Sequence, residues 1–162
     1  MLDAWNITKS LDACSYCGRE LAENRPFYSA LSENEGDLAR SDFCAACWDR
    51  TDNEPFFCFW RARRNPRARK RTVDTGLMIE FFDRLAQPDS EKKKVFRFVL
   101  ALYLMRRKEF KLTGIRRGDG REEMVFSRRS SGDEAVVENP GLDEEQIQEA
   151  SEQLTGLLNA AL

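Results

Sequence analysis

The sequence predicts an α+β protein: a small β-hairpin head closed by cysteine pairs, followed by a helical domain with a small antiparallel sheet. Three observations carry that reading. Two Cys-x-x-Cys pairs, Cys14/Cys17 and Cys44/Cys47, bracket a stretch that reads as a hairpin. Apolar residues recur at helical spacing from Leu77 onward, and from Phe110 the pattern switches to alternation around an Asp-Gly pair.

In the head, Pro26 to Leu31 and Leu38 to Phe43 read as two strands, with Ser32 to Asp37 as the turn between them. Phe56-Phe57-Cys58-Phe59-Trp60 forms an aromatic cluster. Cys58 within it behaves as a small buried hydrophobe rather than a reactive thiol, since reactivity needs exposure and a lowered pKa. Residues 61–71 then carry seven positive charges and no negative one. Pro66 disfavours a helix through Asn65, so this basic segment is expected to be extended in part. The chain therefore divides into a head over residues 1–60, an arginine-rich linker over 61–72 and an α+β domain over 73–162.

In that second domain Leu77, Met78, Phe81, Phe82 and Leu85 make one helical stripe, with Glu80, Asp83 and Arg84 facing away. Pro88-Asp89-Ser90 ends this helix and starts the next, roughly Glu91 to Lys108, with Asp89 or Ser90 as its N-cap. That helix is apolar almost all round between Val95 and Met105, as suits the middle of a core. Arg106, Arg107 and Lys108 stand at its C-terminus, where the helix dipole favours cations. Phe110 and Leu112 alternate on one strand and Met124 and Phe126 on the next, joined through Asp119-Gly120, a strong hairpin signal. Ala135 to Glu138 reads as a third strand. Asp143 and Gln146 form a capping box for a last helix, with Leu142 placed to staple onto Ile147. Its buried stripe is Ile147, Ala150, Leu154, Leu157 and Leu158.

Composition narrows the functional classes. The 162 residues are 41% apolar and 33% charged, which suits a globular chain with a well-solvated surface. No run approaches the roughly 18 to 20 apolar residues of a membrane-spanning helix. Met1 to Ser10 lacks a signal-peptide pattern, so the expected compartment is the cytoplasm, where paired cysteines bind metal more often than they form disulfides. There is no histidine at all. That removes Ser-His-Asp and Cys-His catalysis and histidine-ligated catalytic metals, and the chain is read as a non-enzyme. The net charge of −2 hides blocks: residues 1–60 sum to −6, 91–128 to +7 and 129–162 to −7. Such blocks suit docking electrostatics rather than a uniform nucleic-acid coat.

Two residues between thiolates let both sulfurs of a tight turn reach one ion at about 2.3 Å, and Gly18 eases the first turn. Cys14, Cys17, Cys44 and Cys47 together supply a tetrahedron of soft ligands, which suits one structural Zn²⁺ with no open position for chemistry. Rubredoxin-like iron is the rival, but rubredoxins usually carry glycine after both pairs, and here Trp48 follows the second. Cys14-Ser15-Tyr16-Cys17-Gly18-Arg19, a hairpin, then Phe43-Cys44-Ala45-Ala46-Cys47-Trp48 resembles a treble-clef or zinc-ribbon finger over residues 12–50. The resemblance implies a zinc-bound hairpin whose second cysteine pair opens a short helix. Such fingers serve nucleic-acid binders and protein adaptors alike, so it names no activity.

The basic segment leaves two partners open. Arg61, Arg63, Arg64, Arg67, Arg69, Lys70 and Arg71 have the charge to neutralise phosphates, with Trp60 or Phe59 stacking on bases. The same cations equally suit an acidic protein surface, or this chain's own acidic blocks. The sequence thus points to a non-enzymatic zinc-binding interaction or adaptor protein with a protein partner, the alternative being a nucleic-acid-binding protein that uses residues 61–71.

Overall fold

The computed structural model describes residues 7, 11–23, 25–63 and 74–158. It is α+β, with two three-stranded antiparallel sheets and four helices among those residues. The chain groups into two compact units, Met1–Asp74 with Glu152–Leu162, and Thr75–Ser151.

The first unit is built on a sheet of β1 (Pro26–Asn34), β2 (Asp37–Cys44) and β3 (Phe56–Arg63), in the order β2-β1-β3. The strands β1 and β2 are longer than the sequence reading allowed, pairing as far as Asn34 opposite Asp37. Only Glu35 and Gly36 remain as the loop, both at positive φ (51° and 84°). Two left-handed residues match the right-handed twist of the strands they join, so the ladder continues to the loop instead of fraying early. The helix α1 (Ala45–Trp48) follows β2 directly.

The strand β3 is the element that the sequence reading did not separate from its surroundings. The aromatic cluster and the first cations of the basic segment, through Arg63, form one strand along β1. One face carries Cys58, Trp60 and Ala62, all buried, while Phe59 on the other face packs against Trp48 at 5.2 Å. Because both faces of its first half are covered, Phe56 to Trp60 shows no alternation of apolar and polar residues. The strand takes up residues 61–63 of the expected linker, and the remainder of that linker lies outside the described residues.

The second unit contains α2 (Thr75–Arg84), α3 (Glu91–Arg106) and a sheet of β4 (Phe110–Gly118), β5 (Arg121–Arg128) and β6 (Glu134–Glu138), ordered β4-β5-β6. The helix α3 packs against α2, β4 and β6, and buries every residue from Val95 to Ala101, and Leu104. Ser90 caps it, its Oγ accepting from the Lys93 N–H at 3.3 Å. Arg97 lies in this buried run at 7% exposure, its Nη1 donating to the Val136 carbonyl at 2.7 Å and its guanidinium 4.2 Å over Phe82. The ring of Phe82 meets that of Phe110 edge-on at 4.9 Å, which ties α2 to the sheet. Arg128 makes both of its bonds to the Asp83 carboxylate across the same boundary. Asp119 and Gly120 join β4 to β5 with φ of 50° and 76°, the two left-handed residues of the hairpin that the Asp-Gly pair predicts.

The helix α4 (Glu144–Leu158) begins at the predicted capping box. The Asp143 Oδ1 accepts from the Gln146 N–H at 2.8 Å, and the Gln146 Oε1 accepts from the Asp143 N–H at 3.1 Å. Ala150, Leu154 and Leu157 of its stripe are buried, while Ile147 is half-buried. No helix among the described residues is long and apolar enough to cross a membrane.

Leu100 is fully buried at the centre of α3. Leu100→Ala is expected to cost about 2 to 5 kcal/mol, the lost transfer energy plus the cavity left behind. Urea unfolding measures it, and a loss under about 0.5 kcal/mol is the mark of an exposed position instead.

Candidate metal centre

The first cysteine pair is carried by a miniature hairpin. Ala13 bridges Glu20, and the Cys14 N–H donates to the Arg19 carbonyl at 2.8 Å. The Gly18 N–H returns to the Cys14 carbonyl at 2.9 Å with φ of 72°, a conformation that any side chain would strain. This turn swings Cys17 back beside Cys14. The second pair stands where β2 becomes α1: Cys44 is the last strand residue and the helix N-cap, and Cys47 lies in the helix itself. One helical turn places two residues three apart on the same side, so these two sulfurs also converge.

All four sulfurs lie within 4.8 Å of one another. Thiolates at about 2.3 Å from a tetrahedrally held ion stand about 3.8 Å apart, so four cysteine sulfurs are positioned to bind one metal ion. Cys14 and Cys47 are buried, Cys44 is half-buried and Cys17 is exposed. The Cys44 N–H donates to the Cys14 sulfur at 3.4 Å, a bond that favours the charged thiolate a metal requires.

The electrostatics are those of a site built for a cation. Burial acts to raise the Cys14 thiol, but hydrogen bonds from the backbone of Cys17, Cys44 and Tyr16 outweigh it and bring it down to about 6. Cys47 moves the other way, to about 12, chiefly because it shares a hydrogen bond with the Cys44 thiol, and further because of burial and the sulfurs of Cys17 and Cys14. Four such groups cannot all ionise together unless a cation replaces the shared protons.

The sequence reading missed what anchors this site to the sheet. Asp42, two residues before Cys44, is fully buried. Its carbonyl accepts from the Ser15 N–H at 2.8 Å and its own N–H donates to the Ser15 Oγ at 3.3 Å, which fixes the first cysteine turn against β2. Its Oδ2 accepts from the Leu11 N–H at 2.7 Å. Its Oδ1 accepts from the Ser29 Oγ at 2.5 Å and from the Arg40 Nε at 3.0 Å, while the Arg40 Nη2 donates to the Ser29 Oγ at 2.9 Å. Ser29, Arg40 and Asp42 look like ordinary polar strand positions. Only the register, with Ser29 opposite Asp42, shows that they share the buried face.

On the opposite face Trp48, the residue after Cys47, holds α1 down. Its ring stacks on Tyr28 at 5.0 Å and 4° and meets Phe43 at 5.8 Å. The indole thus clamps the helix that carries the fourth sulfur.

The candidate interface residues divide. Trp60 is 2% exposed with the Arg40 guanidinium 5.4 Å over its ring, so it belongs to the core of the head and has no face open to a base. Phe59 is half-buried against Trp48. Arg61 and Arg63 are exposed and share one face of β3, opposite Trp60 and Ala62. Arg64, Arg67, Arg69, Lys70 and Arg71 lie outside the described residues. Cys58 is fully buried and away from the four-sulfur cluster, as a core cysteine is. No family model matches the chain, and no curated protein or solved structure matches it.

Removing the Asp42 carboxylate leaves Arg40 charged and buried. Asp42→Ala is expected to destabilise the head by about 3 to 5 kcal/mol and to weaken its hold on metal. In Arg40→Met/Asp42→Leu the stranded charge is gone, and part of the stability should return. Urea midpoints of the two variants check this. Equal losses in both assign the effect to packing alone.

Proposed function

We propose that the protein is a non-enzymatic interaction or adaptor protein whose head is folded around one structural zinc ion. The observation that carries this reading is the convergence of the Cys14, Cys17, Cys44 and Cys47 sulfurs within 4.8 Å. Four thiolates fill a tetrahedral ion's coordination and leave no position for a water or substrate, which favours a structural role. The donor set suits zinc, and Trp48 after the second pair, where rubredoxin iron sites usually have glycine, counts against iron. A cysteine turn, a hairpin and a short helix carrying the fourth ligand, in that order, support kinship with treble-clef fingers. The absence of histidine supports a binding role over catalysis.

Purified protein is expected to hold one zinc per chain by elemental analysis. No metal, or iron with a red colour, rejects the reading. Lowering the pH should release the zinc, because protons compete for thiolates that bind only when deprotonated. Cys44→Ser should remove the protease resistance of residues 11–63, since metal binding at such a site is largely folding free energy.

The alternative is a nucleic-acid-binding protein that uses the basic segment. It is favoured by Arg61 and Arg63, exposed on one face of β3 with no carboxylate partner among the described residues. Under the adaptor reading, oligonucleotides do not bind at physiological salt. Under the alternative they do, and log affinity falls with log salt by about 0.9 per phosphate contacted. Replacing Arg63, Arg64, Arg67 and Arg69 with glutamine should then flatten that slope. Binding retained at physiological salt and lost in this variant reverses the order of the two readings.

A further inference from the structure

Beside the metal centre the head has a cleft of about 260 Å³. It lies between the first cysteine turn, the start of β1 and the start of α1, and Cys44 forms part of its wall. Its floor is apolar: Leu21 and Phe27 line it, each almost wholly buried at 4% and 2% exposure. Its walls include Ala22, Ala45 and Ala46, all exposed and all too small to fill it. The volume lies below the roughly 300 to 1,000 Å³ of small-molecule pockets, and suits one inserted side chain rather than a cofactor.

Arg19 and Arg25 stand on the rim with Glu20. Residues 1–60 contain five basic side chains against eleven acidic ones, and two of those five are at this cleft. Neither Arg19 nor Arg25 has a carboxylate partner among the described residues. Both are placed by backbone bonds: the Arg19 carbonyl accepts from the Cys14 N–H, and the Arg25 N–H donates to the Ala22 carbonyl at 3.4 Å.

We infer that this cleft binds a short acidic segment of a partner protein, with an aliphatic side chain inserted over Leu21 and Phe27 and flanking carboxylates held by Arg19 and Arg25. The inference rests on the adaptor reading and names the partner's chemistry. Exposed guanidinium groups such as these make strong, geometrically specific bonds to carboxylates. The net −6 of residues 1–60 repels a long polyanion, whereas a short segment with a few carboxylates and an apolar anchor can place them on Arg19 and Arg25, away from Glu20 on the same rim. A nucleic acid also offers no aliphatic side chain for the floor.

The test is an amide NMR titration of the zinc-loaded full chain. The probe is a capped Glu-Glu-Leu-Glu-Glu peptide, with versions carrying Gln for Glu or Gly for Leu, and with single-stranded oligothymidine, as comparisons. Saturable shifts at the amides of Ala22, Ala45 and Ala46 are expected from the acidic peptide. The glycine version should bind about tenfold more weakly, the factor that one buried aliphatic side chain supplies, and the glutamine version about a hundredfold, one factor of about ten for each arginine's bond. Arg19→Glu/Arg25→Glu should abolish the shifts with zinc content unchanged, and Arg19→Gln/Arg25→Gln serves if the reversal disturbs folding. Silent amides at millimolar peptide overturn the inference, as do equal responses to the glutamine version or shifts produced by oligothymidine instead. Zinc measured on the same sample keeps the two readings apart. Full zinc with silent amides defeats the cleft alone, while missing zinc defeats the metal reading and the cleft that rests on it.

Discussion

Four cysteine sulfurs within 4.8 Å of one another are the constraint on which the head depends. Crowded thiols resist joint ionisation, and the opposite displacements of Cys14 and Cys47 show the conflict within one cluster. A cation would resolve it, and the cores of the two units differ in what they bury. Of the largest fully buried side chains, Phe81, Phe82, Phe96, Phe126, Met78, Leu100, Leu104 and Val99 belong to the second unit. The first unit has Phe27, Leu31 and Leu154. Leu21, Leu38, Phe43, Trp48 and Trp60 complete the first unit's core, a small core of the kind to which a structural metal commonly adds stability.

Two buried arginines show that the units meet the same desolvation problem differently. Arg40 has a carboxylate, a hydroxyl and an indole face, and the carboxylate that neutralises it also fixes the first cysteine turn through Ser15. Its burial is therefore tied to the metal site. Arg97 has the Val136 carbonyl and the face of Phe82, and its Nε has no hydrogen-bond partner among the described residues. Burial lowers its pKa, Asp83 opposes that, and Arg128 adds to it. An arginine starts so far above neutrality that it stays charged under these influences. The aromatic ring and one carbonyl replace its water, and the charge sits at the contact between α3 and β6.

Much of this was legible in the sequence because the signals are local. Asp119-Gly120 and the Asp143/Gln146 box rest on the conformational preferences of a few adjacent residues and formed as read, and of the two caps open to α3 the structure takes Ser90. The cysteine spacing belongs to the same class, since each pair is made by one turn. What escaped was set by tertiary context. The strand β3 is covered on both faces through Trp60, so it lacks the alternation by which a strand is recognised. Arg97 reads as an interruption in an apolar helix, and only the fold supplies the Phe82 ring beneath it. Ser29 and Asp42 are thirteen residues apart, and their pairing depends on a register fixed by the Glu35-Gly36 loop, whose first residue is no standard turn former.

The same few residues join metal binding to the surface that the head presents. The carbonyl of Arg19 closes the turn that holds Cys14, so the backbone from which its guanidinium projects is fixed by the cysteine knuckle itself. Cys44 is at once one of the four clustered sulfurs, the N-cap of α1 and part of the cleft wall, with Ala45 and Ala46 following it. The first turn is also held by Asp42 through Ser15, and α1 by the Trp48 ring, while Cys17, Ala45 and Ala46 stay exposed. An ion held between the two cysteine turns, as proposed above, would set the separation of two loops whose outer faces carry the apolar floor and the arginines of the cleft.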